Sequence, residues 1–127
     1  MSTKSVLVVE DKELNQKVVR IVLEAEGYKM LEAATAEETF QILSAKTPDL
    51  ILMDIALPGG MDGEELTRQI KTDPRWQHVP IVALTAAAMK GDRERILEAG
   101  CDDYISKPID TRVLVDFVRK HAGESKA

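Results

Sequence analysis

The chain has 127 residues, of which 44% are hydrophobic and 31% charged, and its formal net charge is −5. That length suits a globular domain with a sizeable hydrophobic core. The acidic balance argues against a general binder of nucleic acid or anionic membranes, and no apolar run approaches the roughly 18 residues that span a bilayer.

The first predicted element is a strand over residues 6–9, which is apolar on both faces. This run is too short, and too soon followed by Glu10 and Asp11, to be a signal peptide. A helix is predicted next and ends near Gly27. Its apolar residues fall at helical spacing: Leu14, Val18, Ile21, Val22 and Ala25.

The rest of the chain continues this alternation of strand and helix. The predicted elements cover residues 28–33, 36–45, 50–53, 63–72, 81–84, 92–99 and 103–106, and Asp110 can cap a last helix. Pro58-Gly59-Gly60 indicates a loop, and Gly100 ends the fourth helix. The second helix directs Phe40 and Leu43 inward. Five residues share one face of the last helix: Val113, Leu114, Phe117, Val118 and His121.

Strands that are apolar on both faces and are joined by helices indicate a parallel sheet covered on both sides. Right-handed crossovers then favour a doubly wound α/β fold. One domain is expected over residues 1–127, with a core from about 4 to 121 and a frayed tail at 122–127. The only cysteine, Cys101, excludes an intrachain disulfide, so we expect a reducing cytoplasm and a thiol that packs as a small hydrophobe.

Ligands of such sheets bind beyond the carboxyl ends of the strands. Ionic or hydroxyl side chains follow four of the five predicted strands: Glu10 with Asp11, Asp54, Thr85 and Lys107. Converging carboxylates repel each other, and a hard divalent cation such as Mg²⁺ relieves that repulsion. Phosphoryl transfer needs a nucleophile in line, a metal, and cationic or hydrogen-bonding groups around the phosphoryl oxygens, and this set supplies all of them.

Seven short motifs have an order and spacing that are highly specific together, although each is weak alone. They are Val9-Glu10-Asp11, Asp54 with Ile55 and Pro58, Met61-Asp62-Gly63, Ala83-Leu84-Thr85-Ala86, Met89-Lys90-Gly91-Asp92, Gly100, and Tyr104-Ile105-Ser106-Lys107-Pro108. Over nearly its whole length the sequence resembles a response-regulator receiver domain of the two-component or phosphorelay family, in a single-domain, chemotaxis-regulator-like form. The resemblance implies a flavodoxin-like fold with five helices and the strand order 2-1-3-4-5.

The resemblance also implies roles for individual residues. Asp54 would accept the phosphoryl group, Thr85 would hydrogen-bond it, and Lys107 would pair with one of its oxygens. The bond from Lys107 to Pro108 would be cis, which an X-Pro amide tolerates. Tyr104 would be an aromatic switch that turns inward as Thr85 moves.

The resemblance further implies a Mg²⁺ (or Mn²⁺) site. Asp11, Asp54 and the backbone carbonyl of Ala56 would bind the ion directly, and Glu10 would act through water. A histidine kinase or a histidine phosphotransfer protein would be the donor, and a downstream partner would read residues 92–121. Since the sequence ends after one domain, no output domain is expected in cis. We expect no nucleic-acid or membrane partner, and no enzymatic activity beyond self-catalysed phosphorylation and dephosphorylation.

Three features depart from the family pattern. Lys12 adds a positive charge near the pocket. The loop over residues 58–63 is one residue longer than the common form. Ala56, Ala86 and Ala87 offer no side chain that could orient a hydrolytic water, so we expect the dephosphorylation rate to be set elsewhere.

Other interpretations stay open at this point. Glu10 and Asp11 could simply begin the first helix. A haloacid-dehalogenase-like hydrolase would need a second aspartate where Ala56 stands, and a flavodoxin-like cofactor binder would need a phosphate-cradling loop after the first strand. A phosphorylation-independent interaction module and a receiver fragment of a hybrid histidine kinase are further alternatives. Trp76 and His78 are expected to be packed or exposed loop residues.

Overall fold

The computed structural model describes residues 3–57, 61–86 and 90–124 of the chain. The loop predicted at residues 58–60 lies outside these ranges, as do Ala87 and residues 125–127. Within the described ranges, no helix has both the length and the apolar composition that crossing a bilayer requires.

Five strands alternate with five helices along the described part of the chain. They are β1 Ser5–Val9, α1 Glu13–Ala25, β2 Lys29–Ala33, α2 Ala36–Ala45, β3 Leu50–Asp54, α3 Gly63–Thr72, β4 Ile81–Thr85, α4 Lys90–Glu98, β5 Asp103–Ser106 and α5 Thr111–Ala122. The predicted elements are all present, with bounds shifted by at most two residues. The largest shift is in α4, which begins at Lys90 rather than Asp92 and ends one residue earlier than predicted.

The five strands form one sheet in the order β2-β1-β3-β4-β5, and every neighbouring pair is parallel. All residues of β1, β3 and β4 are buried. Central strands buried on both faces are expected when helices cover a parallel sheet on both sides. The doubly wound fold and the strand order predicted from the sequence are therefore confirmed.

Alternate residues of the central strands enter two separate cores, one on each face of the sheet. On one face the strand residues pack with side chains of α2, α3 and α4; they are Leu7, Val9, Ile51, Met53, Ile81 and Ala83. On the other face they pack with side chains of α1 and α5; they are Val6, Val8, Leu50, Leu52, Val82 and Leu84. The sheet thus fixes the strand ends rigidly between two helical layers.

The helix α1 presents a different face to the core than its apolar spacing suggested. Val19 and Leu23 are its buried residues, whereas Leu14 is 73% exposed and Ile21 is 63% exposed. Apolar residues at helical spacing predicted the helix correctly, but two apolar stripes run along it. The more exposed stripe does not face the sheet.

The C-terminal helix α5 packs on the sheet through a narrow face. Leu114, Val118 and Ala122 are its buried residues, so the shared face is narrower than expected and Val113 is 37% exposed. The hydroxyl of Tyr28 donates a hydrogen bond to the carbonyl of Gly123 at 2.5 Å. Of the tail predicted over residues 122–127, the structure describes residues 122–124, and its fraying stays a prediction.

Trp76 and Cys101 are both packing residues. Trp76 is 4% exposed, its ring centroid lies 6.1 Å from that of Phe40, and the Arg75 guanidinium lies 4.1 Å from the centre of its ring. Cys101 is buried against Thr67, and its burial raises the pKa of the thiol to about 11. The interpretation of Cys101 as a small hydrophobe fits this environment.

Candidate functional site

Three carboxylates meet at the carboxyl edge of the sheet. One oxygen each from Glu10, Asp11 and Asp54 lies within 4.8 Å of the other two. β1 and β3 are hydrogen-bonded neighbours, so the residues that end them are necessarily close. Glu10 and Asp54 are buried, whereas Asp11 is exposed. The helix α1 begins only at Glu13, so Glu10 and Asp11 precede it rather than form its first turn.

Lys107 brings a positive charge to two of these carboxylates. Its Nζ atom lies 3.3 Å from Oδ1 of Asp54 and 3.4 Å from Oε2 of Glu10. The backbone N–H of Lys107 donates to the carbonyl of Thr85 at 2.8 Å, which ties the end of β5 to the end of β4. The peptide bond from Lys107 to Pro108 is cis, as the family resemblance implied.

Glu10 is held by two side chains of α1 and by its burial. Asn15 Nδ2 donates to its Oε1 at 2.5 Å, and Gln16 Nε2 donates to its backbone carbonyl at 2.5 Å. Burial, followed by hydrogen bonding to Asp54, raises the pKa of Glu10 to about 7, although Asn15 and Lys107 act in the opposite direction. One ammonium therefore does not fully compensate the buried carboxylates.

A cavity of about 400 Å³ opens above Asp54. Thr85, Lys107 and Lys12 all line it. Thr85 is 4% exposed at the end of β4. The cavity thus combines a buried carboxylate with a hydroxyl and an ammonium, and Lys12 adds the extra positive charge that the sequence indicated.

Small residues shape the floor and rim of this cavity. Ala56 and Ala86 line it and are exposed, and the backbone N–H of Ala56 donates to Oδ1 of Asp54 at 3.0 Å. The backbone N–H of Gly63 donates to the carbonyl of Ile55 at 3.0 Å. A Cβ atom at Gly63 would lie 2.0 Å from the carbonyl oxygen of Asp54, so α3 can start this close to β3 only with glycine.

The start of α3 is fixed by an N-cap as well. Oδ1 of Asp62 accepts a hydrogen bond from the backbone N–H of Glu65 at 2.9 Å. Asp62 also lines the cavity, so the capping residue stands at the rim of the site.

Tyr104 lies on β5, beside β4 at the register of Ala83. It is partly exposed, and the Arg93 guanidinium lies 5.9 Å from the centre of its ring. Tyr104 therefore lies on the edge strand of the sheet, beside α4. A switching role for Tyr104 stays a prediction.

Two residues near the site were not foreseen from the sequence. Asn15 holds Glu10, and Arg95 of α4 lines the cavity while it pairs with Glu64 of α3. Asn15 follows the acidic pair by about one helical turn, which is a weak signal. Glu64 and Arg95 are 31 positions apart, so no local pattern reveals their pairing.

The donor set suits a small, hard divalent cation. Carboxylate oxygens are preferred ligands of Mg²⁺, and they converge here from two adjacent strand ends. Such an ion would offset the charge that Lys107 leaves uncompensated. The remaining cavity, with Thr85 and Lys107 on its walls, has room for an oxyanion beside Asp54.

Comparison with known proteins gives a consistent result. Residues 6–119 match the family described as the response regulator receiver domain. The polar-differentiation response regulator DivK of Brucella ovis is 44% identical over 123 residues, which cover 97% of this chain and 99% of that protein. A putative response regulator from Chloroflexus aurantiacus superposes with a TM-score of 0.90 at 30% identity, covering 97% of this chain and 100% of that one.

A third relative bears on the acidic cluster. The receiver domain of a sensor histidine kinase from Pseudomonas aeruginosa is 36% identical, with a TM-score of 0.86, and the match covers 97% of this chain and 100% of that one. In that structure a magnesium ion is coordinated in the active-site cleft.

Proposed function

The chain belongs to the response regulator receiver domain family, and from this membership we propose that it is a phosphoacceptor whose Asp54 takes a phosphoryl group from a phosphohistidine. The observation that carries the proposal is the pairing of buried Asp54 with Lys107 beside Glu10 and Asp11. A carboxylate in this setting is a nucleophile with a cation already placed for the incoming oxygens.

The transfer is a single displacement at phosphorus. A carboxylate oxygen of Asp54 forms a bond to phosphorus while the bond from phosphorus to the donor's imidazole nitrogen breaks. The bonding electron pair returns to that nitrogen, and the ring leaves as neutral imidazole with one proton from solvent. Lys107 and the Thr85 hydroxyl would stabilise the phosphoryl oxygens during this step.

A divalent cation fits the acidic cluster and completes the proposal. Asp11, Asp54 and the backbone carbonyl of Ala56 would hold Mg²⁺, with Glu10 contributing through water. When bound, the ion would neutralise the charge that develops on the transferring phosphoryl group. The magnesium ion in the Pseudomonas aeruginosa relative supports this assignment.

The proposed partners follow from the chemistry. A histidine kinase or histidine phosphotransfer protein would supply the phosphoryl group, and the cytoplasm is the proposed location. The protein would act as a signalling phosphoacceptor rather than as an enzyme with a separate substrate. A downstream partner would read the face formed by α4, β5 and α5, with Thr85 and Tyr104 linking that face to Asp54.

Intact mass spectrometry tests the proposal directly. Wild-type protein incubated with Mg²⁺ and acetyl phosphate should gain one phosphoryl group, and chelation of Mg²⁺ should abolish the gain. Asp54→Asn should show no gain. Asp62→Asn removes a carboxylate from the rim of the same cavity and should still be phosphorylated. A gain that persists in Asp54→Asn, or no gain in the wild type, would overturn the proposal.

A further inference from the structure

Arg95 is a cation of the cavity that is held away from Asp54. Its side chain lines the cavity of about 400 Å³ together with Asp54 and Thr85. Its Nε atom lies 2.9 Å from Oε2 of Glu64 on α3, and its Nη1 lies 3.4 Å from Asp92 on its own helix. The guanidinium therefore bridges α3 and α4 at the rim of the site.

Glu64 does not depend on Arg95 alone. Its Oε1 binds Nη2 of Arg68 at 2.9 Å, while its Oε2 binds Arg95. The Glu64 side chain is only 13% exposed, so removing its only cation would leave a poorly solvated charge unpaired. With Arg68 one turn away, Glu64 keeps a partner when Arg95 leaves. The free-energy cost of leaving the Glu64 carboxylate without Arg95 is therefore small.

A phosphoryl group on Asp54 changes what the cavity offers to Arg95. It replaces a single carboxylate charge with a group that carries about two negative charges and three acceptor oxygens. Guanidinium groups bind such groups through paired hydrogen bonds, which are stronger than a single contact to a carboxylate. The Arg95 side chain is 50% exposed, so it is not locked into the core and little packing is lost when it moves toward the cavity.

Building on the proposed function, we propose that Arg95 is a phosphoryl-binding residue that stays paired with Glu64 until Asp54 is phosphorylated. In the unmodified protein Glu64 competes for the guanidinium. After phosphorylation the guanidinium binds the phosphoryl oxygens from the α4 side, opposite Lys107. The exchange breaks the Glu64–Arg95 contact and so couples the state of Asp54 to the link between α3 and α4.

The proposal predicts effects of opposite sign for the two partners. Beryllium fluoride is a phosphoryl analogue, and its affinity at saturating Mg²⁺ can be followed by fluorine NMR. Arg95→Gln should weaken binding by about tenfold, because a charge-assisted contact is lost. Glu64→Gln should strengthen binding by roughly threefold or more, because the competitor for Arg95 is gone. In the double variant the effect of Glu64→Gln should vanish.

Arg68→Gln is the matched control, because it removes the other cation of Glu64 without touching the cavity. Its affinity should not rise above that of the wild type. Changes of the same sign in Arg95→Gln and Glu64→Gln would show that the pair is only structural and would overturn the inference. So would an unchanged affinity in Arg95→Gln. If the wild-type protein failed to bind the analogue or to gain a phosphoryl group, that result would instead contradict the proposed function itself.

Discussion

The Nζ atom of Lys107 lies 3.3 Å from Oδ1 of Asp54. The same atom lies 3.4 Å from Oε2 of Glu10, so one ammonium serves two buried carboxylates. The carboxylates would attract a divalent cation bound by the neighbouring oxygens, and this ammonium would repel it. Under the proposed function, Lys107 should therefore weaken metal binding and strengthen phosphoryl binding.

Lys107→Met should bind Mg²⁺ more tightly than the wild type, by about tenfold, because repulsion between the ion and a nearby unit charge is removed. The same variant should bind beryllium fluoride more weakly, because the phosphoryl oxygens lose a cation. Isothermal titration calorimetry measures the first effect. Lys120→Met is the control, since that lysine is 69% exposed on α5 and pairs with Asp103 instead. Weaker Mg²⁺ binding in Lys107→Met would contradict the assigned role.

Glu10 gives the metal-free protein a pH-dependent stability. Its folded-state pKa of about 7 exceeds the ordinary value of 4.5, so the folded chain holds a proton that the unfolded chain has lost between these values. Stability contributed by this group is therefore complete below about pH 4.5 and is lost as the pH rises through about 7. Metal-free Glu10→Gln should exceed the wild type in unfolding free energy by on the order of 1–3 kcal/mol at pH 8.

Urea titrations at pH 5 and pH 8 measure the unfolding free energies. The difference in unfolding free energy between Glu10→Gln and the wild type should grow with pH. Mg²⁺ should stabilise the wild type more than Glu10→Gln. Glu24→Gln removes a charge from the exposed side of α1 and serves as the control. An equal difference at both pH values in Glu10→Gln would refute the assignment.

Gly63 permits the approach of α3 to the end of β3. Gly63→Ala places a methyl group 2.0 Å from the carbonyl oxygen of Asp54, so the backbone must shift. We expect a loss of about 1–3 kcal/mol or more in unfolding free energy. Gly91→Ala is a control of opposite sign, because its Cβ meets nothing within 4 Å inside α4. That variant should gain roughly 0.5–1 kcal/mol in helix propensity. Equal effects in chemical denaturation would contradict this account.

The sequence predicted the order of the strands and helices, and it predicted that the site residues meet at the strand ends. Both predictions follow from patterns within short stretches of the chain. Apolar runs identify the strands, and parallel connection places residues such as Glu10 and Asp54 at one edge. The sequence could not predict which apolar stripe of α1 faces the sheet, since the stripe with Leu14 and the stripe with Val19 both fit the helical period. Contacts across the fold, such as Arg95 with Glu64, depend on how α3 and α4 pack and leave no local pattern.

Cys101 should resist thiol reagents in the folded protein. Its pKa of about 11 leaves only a trace of thiolate at pH 8, and the side chain is 5% exposed. We expect modification by an aromatic disulfide reagent to be at least about 100-fold slower than for an exposed thiol. Ser44→Cys in a Cys101→Ala background supplies that thiol, because residue 44 lies on the exposed side of α2. In denaturant, both thiols should react at equal rates. If Cys101 in the folded protein reacted as fast as the Ser44→Cys thiol, the region around Cys101 would open far more readily than its packing against Thr67 allows.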